Sequence, residues 1–260
     1  MKQFSYCPQH SLPEIGTPWY YAYRHLTGPT QKLLYALDQI SQQWTQASEC
    51  YQDKTTTLQK LNWWYEELDA LYQLQAHTPM VQQIQTSFVT SVIQTAIYPA
   101  LIQDLNYIIE TVVSGRSQGI QTHCQTNLWG VSQIKQWYLN GQEPSQSDLL
   151  GWHTSIELAR HILLWPQQSS HGICFIDNHS EAGVIKDTLI TWFQQAVSQA
   201  EQSSMSFNKA YQPLWRLNKI YLKSAKKLLK SIQDPRRESI VLSPAALLRY
   251  SMRPQKIPKW

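Results

Sequence analysis

Apolar residues recur along this chain every three to four positions almost from end to end. In YALDQISQQWTQ, residues 35–46, Tyr35, Leu37, Ile40 and Trp44 fall on or beside one stripe. That spacing predicts an amphipathic helix. The same period predicts helices at 19–26, 31–47, 56–74, 80–96, 99–113, 119–139, 146–165, 181–203, 208–232 and 244–250. Local start signals support two of them. Ser145 precedes QSDLL, and Ser243-Pro244 places a capping hydroxyl before a proline at the first helical position. Loops are expected at 27–30, 76–79, 114–118, 140–145 and 166–180. Only GICFI, residues 172–176, has strand character. With no alternation of strands and helices, and no repeat of 20–50 residues, the chain reads as one all-α domain over residues 1–260. Residues 1–17 are expected as an irregular arm and 251–260 as a tail.

Composition narrows this. Of 260 residues, 42% are hydrophobic, enough for a substantial core, but only 15% are charged. Soluble domains carry roughly 25%, so a strongly electrostatic site is not expected. A net charge of +4 is too small to suggest nucleic acid. The four cysteines, Cys7, Cys50, Cys124 and Cys174, form no CxxC pair, which fits a reducing compartment better than a disulfide framework. MKQFSYCPQHSLPE has no apolar centre, so no signal peptide is expected. The most apolar stretch, residues 97–113, is interrupted by Pro99, Gln103, Asp104, Asn106 and Glu110, so no membrane span is expected either. A cytoplasmic protein is expected, free or resting on the inner face of a membrane.

Generic chemistry is sparse. LNWWYEELDAL offers Glu66, Glu67 and Asp69, but adjacent carboxylates on a helix diverge by about 100°. Core tryptophans with a solvated acidic edge are the simpler reading. His161, His171, Cys174 and His179 supply only part of a zinc knuckle, so no metal site is expected. The sequence has no nucleophile elbow, no P-loop and no dinucleotide fingerprint. Residues 219–232 carry Lys219, Lys223, Lys226, Lys227 and Lys230, mostly on one face. This is an ordinary solvated face or a contact for an anionic membrane or acidic partner.

Taken in order, several segments resemble the squalene/phytoene synthase family of head-to-head prenyltransferases. WYYAYRHLTGPTQKLLYAL (19–37) is similar to its opening helices. LQKLNWWYEEL (58–68), with His77 and Pro79 after it, is similar to the next helix. IQTHCQTNLWG (120–130), with His123-Cys124, resembles a later helix that carries a Tyr-Cys pair. LARHILLWPQQSSHGICFIDNHSEAGV (158–184) resembles the second signature helix and its loop. The resemblance spans about residues 18–240. It implies an isoprenoid-synthase-like antiparallel bundle around a central apolar cavity, lined by residues such as Tyr21, Tyr35, His123, Arg160 and His161.

In that family two aspartate-rich motifs hold Mg²⁺, which grips the leaving diphosphate. Counted from Tyr35-Ala36-Leu37, the family's arginine falls at Gln39 and its aspartates at Gln42, Gln43 and Gln46. Counted back from Gly172, the second pair falls at Leu164 and Gln168. The phosphate-gripping arginine falls at Ile173 and the tyrosine at Phe175. Five carboxylates are replaced. At ~4 Å and an effective dielectric near 20, each would contribute several kcal/mol of attraction to a cation. Asp104, Glu110 and Glu157 are free to point inward but would make a new site. The resemblance therefore implies a non-catalytic member that needs no cofactor. Such a member would bind a prenyl or lipid ligand, or serve a protein partner as an assembly factor, as one member does for respiratory complex I. Two alternatives stand beside it: an active prenyltransferase with altered Mg²⁺ ligands, and an unrelated helical interaction protein.

Overall fold

The computed structural model describes residues 12–49, 53–114, 119–141, 146–170, 175–176, 180–203, 209–231 and 243–252. Among them the chain is all-α, with no strand. No helix is long and apolar enough to cross a membrane.

Side-chain caps start several helices where the sequence places them. The Thr17 hydroxyl accepts from Tyr20 N to open α1 (Pro18–Tyr23). α2 (Gly28–Glu49) follows a short turn. Asp53 caps α3 (Lys54–Tyr72) through Thr55 N and Thr56 N, and Thr78 caps α4 (Pro79–Ser87) through Val81 N. Ser243 caps α12 (Pro244–Ser251) through Ala246 N, with Pro244 in the first turn as its sequence implies. Ser145, the other anticipated cap, lies outside the described residues.

Several boundaries differ from the periodicity: α1 stops at Tyr23, short of the anticipated 26, and α2 begins at Gly28, inside the anticipated loop 27–30. The helix anticipated at 80–96 ends early, at Phe88, whose backbone is extended. A new helix starts as α5 (Thr90–Val92), passes through a π-helical turn (Ile93–Ile97) and continues as α6 (Tyr98–Ser114), straight across Pro99. Proline has no N–H and its ring crowds the carbonyl four residues back. The wider turn, in which Tyr98 N–H bonds five residues back to Ile93 O, makes room for it. The helix anticipated at 119–139 is two, α7 (Ile120–Thr126) and α8 (Trp129–Asn140). Leu128 stands between them at φ 58°, a left-handed conformation that breaks helical continuity. Finally, α9 (Gln146–Ser170) runs through Pro166 instead of stopping before it. Of the strand-like 172–176, only Phe175 and Ile176 are described, and they lie in a bend.

α9 packs against α10 (Ala182–Gln202), α11 (Gln212–Ser231) and α7. A 3-10 turn (Lys209–Tyr211) leads into α11, which also carries α1 and α12. These helices enclose one apolar cluster around Trp152, Trp165, Phe193 and Trp215. A second cluster joins α2, α3, α4, α6 and α8 around Trp44, Trp64, Leu68 and Ile84. α2 serves both: Leu34 faces the first, and Leu33, Leu37, Ile40 and Trp44 face the second. Neighbours about 100° apart on a helix can do this. Where helices of the two clusters meet, at α1, α2 and α8, a seam carries buried ionic groups, Asp38 and Lys135 among them.

Candidate functional site

α2 carries Asp38 into this seam. Its carboxylate accepts from Lys135 Nζ of α8 at 2.5 Å and from the Tyr23 hydroxyl of α1 at 2.6 Å. Both ion-pair side chains are almost fully buried. Burial, then the neighbouring Asp38 carboxylate, raise the Tyr23 phenol well above its ordinary pKa. Burial followed by Asp38 likewise raises Tyr221, on α11.

A second pair stands on α9. Arg160 donates to Glu157 at 2.8 Å, and the Asn127 amide donates to the same carboxylate oxygen at 3.1 Å. Between the two pairs sits His153, fully buried, with Nδ1 2.8 Å from Ser132 Oγ of α8. Burial, followed by the positive charge of Arg160, lowers its pKa to about 3, so the imidazole is neutral. Asp104 of α6 is buried as well. It accepts from Gly130 N and Val131 N at 2.8 Å each, which closes the first turn of α8. Burial is the largest influence on it and raises its pKa to about 7, against those two donors.

A low overall charge therefore does not mean an uncharged interior. The chain has few charges, but the fold gathers Asp38, Asp104, Glu157, Lys135 and Arg160 at its centre. Composition counts charges without locating them. One local signal existed: Asp38 interrupts LLYALDQI, an otherwise buried run. Another lies on α9, where His153, Glu157, Arg160 and His161 repeat at helical spacing. Of the three acids free to point inward by sequence, Asp104 and Glu157 are buried and Glu110 is exposed.

α2 and α9 carry two stripes of identical spacing. Tyr35, Gln39, Gln42 and Gln46 lie on α2 at steps of four, three and four residues. Glu157, His161, Leu164 and Gln168 repeat those steps on α9. Along α2 the stripe grades outward. Tyr35 and Gln39 are buried, Gln42 and its neighbour Gln43 half-buried, and Gln46 exposed. On α9 Leu164 is half-buried and Gln168 fully buried. Gln168 Nε2 donates to His161 Nδ1 at 2.9 Å. His161 meets His123 edge-on at 5.1 Å between ring centres, and Phe175 lies 4.9 Å from His123 and 5.6 Å from His161. The Tyr107 hydroxyl shares a hydrogen bond with His123 Nδ1 at 3.1 Å.

Four anticipated residues, His123, His161, Gln168 and Phe175, therefore meet in one place. Tyr35 stands apart, its ring 5.9 Å from Trp19, and Tyr21 packs in the first cluster against Tyr20. Arg160 is in its ion pair. Ile173, His171, Cys174 and His179 lie outside the described residues. Among the described residues no three metal-ligating side chains are grouped.

Two surface features also differ from their simplest reading. Glu67 is not part of a solvated edge; it is buried and accepts from His77 N, Thr78 N and the Thr78 hydroxyl, fastening α3 to α4. Glu66 and Asp69 are exposed, and of the tryptophan pair Trp64 is buried while Trp63 is 42% exposed. Nor do all the lysines of α11 share one open face. Lys219 is buried and donates to Met252 O, and Lys223 lies over the Tyr250 ring at 5.2 Å. Lys226 is half-buried, and Lys227 and Lys230 are exposed.

No family model, no curated protein and no solved structure matches this chain. The class defined by the structure is an all-α protein with a buried ionic seam between two apolar clusters.

Proposed function

We propose that this protein is a non-catalytic relative of the squalene/phytoene synthases, which acts by holding an isoprenoid or other lipid chain. The observation that carries this reading is the commitment of the interior acids. Asp38 is held by Lys135 and Tyr23, Glu157 by Arg160 and Asn127, and Asp104 by the start of α8. A Mg²⁺ cluster requires anionic oxygens turned toward the ion. Freeing Asp38 would strand Lys135 as a buried cation. Meanwhile the stripes at the degenerate positions are uncharged at Gln39, Gln42, Gln43, Gln46, Leu164 and Gln168. Amides and alkyl groups suit a neutral polyisoprenoid better than a diphosphate. The exposed Lys227 and Lys230, with Lys226 beside them, are the side we assign to an anionic membrane surface.

The test is incubation with labelled farnesyl or geranylgeranyl diphosphate and Mg²⁺, together with calorimetry of prenyl alcohols. The expected result is no release of diphosphate, and alcohol binding that is unchanged by Mg²⁺. Release at enzymatic rates would establish a prenyltransferase with altered ligands and end this reading. Failure of every prenyl alcohol and phospholipid probe to bind would remove the lipid role.

A further inference from the structure

α12 is apolar on both of its sides. Inward, Leu247 and Ser251 stand one turn apart and are buried, with Leu247 in the first apolar cluster. Outward, Ala245, Leu248, Arg249 and Met252 are exposed, at the spacing of one helical face. Leu248 is 36% exposed, and Met252, at the C-terminal cap, 56%. A helix on a protein surface ordinarily turns polar residues outward. Here the outward face is apolar apart from one arginine.

The lysines of α11 run beside it. Lys219 Nζ donates to Met252 O, and Lys223 Nζ stands 5.2 Å over the Tyr250 ring. Moving from Lys219 to Lys223 along α11 therefore means moving back from Met252 to Tyr250 along α12, so the two helices are antiparallel. In that register Lys226, Lys227 and Lys230 continue the row toward the start of α12. Net charge is concentrated in the same part of the sequence. Residues 219–260 contain eleven Lys and Arg and two acids, a net +9. Residues 1–218 contain eleven Lys and Arg and sixteen acids, a net −5, and the whole chain carries +4.

Cations beside exposed apolar side chains match a bilayer, which offers a negative headgroup layer over an apolar interior. We propose that the edge formed by α11 and α12 is a docking surface for an anionic phospholipid bilayer, with Leu248 and Met252 inserted among the headgroups and Arg249, Lys227 and Lys230 on their negative charges. This rests on the assignment of the α11 lysines to a membrane and needs no isoprenoid ligand.

The test is sedimentation of the full chain with phosphatidylcholine vesicles, with and without phosphatidylserine, at low and high salt. Binding is expected to the phosphatidylserine vesicles and to weaken with salt. Replacing both Lys227→Gln and Lys230→Gln should weaken it about tenfold at low salt. Replacing both Leu248→Ser and Met252→Ser should weaken it about tenfold as well. Val89→Ser, an exposed apolar residue between α4 and α5, should leave it unchanged. Circular dichroism checks that each variant is folded, and Met252→Ser alone, at the more exposed position, serves if Leu248→Ser disturbs α12. Binding that depends on the lysines but not on Leu248 and Met252 would overturn the inserted face and leave the lysine assignment standing. Binding that is absent from every vesicle, equal on phosphatidylcholine alone, or weakened as much by Val89→Ser would overturn both. Calorimetry of prenyl alcohols would still decide the ligand reading separately.

Discussion

Lys135 meets Asp38 with both side chains nearly out of contact with water. Such a pair gives little net stability as a pair, because desolvation opposes the attraction, but losing one partner strands the other. Lys135→Met is expected to cost about 3–5 kcal/mol in urea denaturation, and adding Asp38→Asn should recover much of it. A loss for Lys135→Met below about 1 kcal/mol would mean that water reaches Asp38. His153 and Asp104 act through pH with opposite signs. His153 is held at about 3 in the fold against 6.5 when exposed. Its stabilising contribution is complete above pH 6.5 and is lost as pH falls toward 3. Asp104 is raised to about 7 from 3.8. Its contribution is complete below pH 3.8 and is lost as pH rises through 7. Denaturation midpoints measured from pH 4 to 7 should rise less steeply with pH in His153→Gln than in the parent protein. In Asp104→Asn, where the opposing contribution is gone, they should rise more steeply. Identical profiles would show that neither group changes its protonation on unfolding.

At the scale of elements, the close approach of α8 to α6 depends on Gly130. A Cβ at that position would stand 2.3 Å from the carbonyl oxygen of Ala100, which is backbone and cannot turn aside. The Gly130 N–H is also one of the two donors to Asp104. Gly130→Ala is therefore expected to destabilise by at least the ~1–3 kcal/mol typical of overpacking. Gly183→Ala in α10, where nothing lies within 4 Å, should be neutral or stabilising by up to about 1 kcal/mol. Equal stability of the two variants would contradict the tight α6–α8 contact. Most of the helices were legible from apolar spacing. The passage through Pro99 and Pro166 and the break at Leu128 were not. Proline and a left-handed leucine report local cost, and packing decides whether a helix survives it.

For the whole molecule, the open question is whether two apolar clusters make one cooperative unit. They share α2, and the Asp38–Lys135 and Tyr23–Asp38 bonds tie α1, α2 and α8 across the seam. One transition is expected, with tryptophan fluorescence and far-ultraviolet circular dichroism coinciding in urea. Tryptophans stand in both clusters: Trp44 and Trp64 in one, Trp152, Trp165 and Trp215 in the other. Lys135→Met should separate the two signals. Separate transitions in the unaltered protein would show instead that the clusters unfold independently.

The sequence by itself determined the all-α class, most of the helices, the Ser243 cap and the glutamines at 39, 42, 43 and 46. Each of these is a matter of local spacing or of residue identity. Only the tertiary structure decided which polar groups are buried together. Asp38 and Lys135 are 97 residues apart, and nothing in their own neighbourhoods marks them as partners. The same holds for Glu67 under the α3–α4 turn and for the meeting of His123 with His161. Burial is a property of what packs over a residue, and that partner comes from a distant part of the chain.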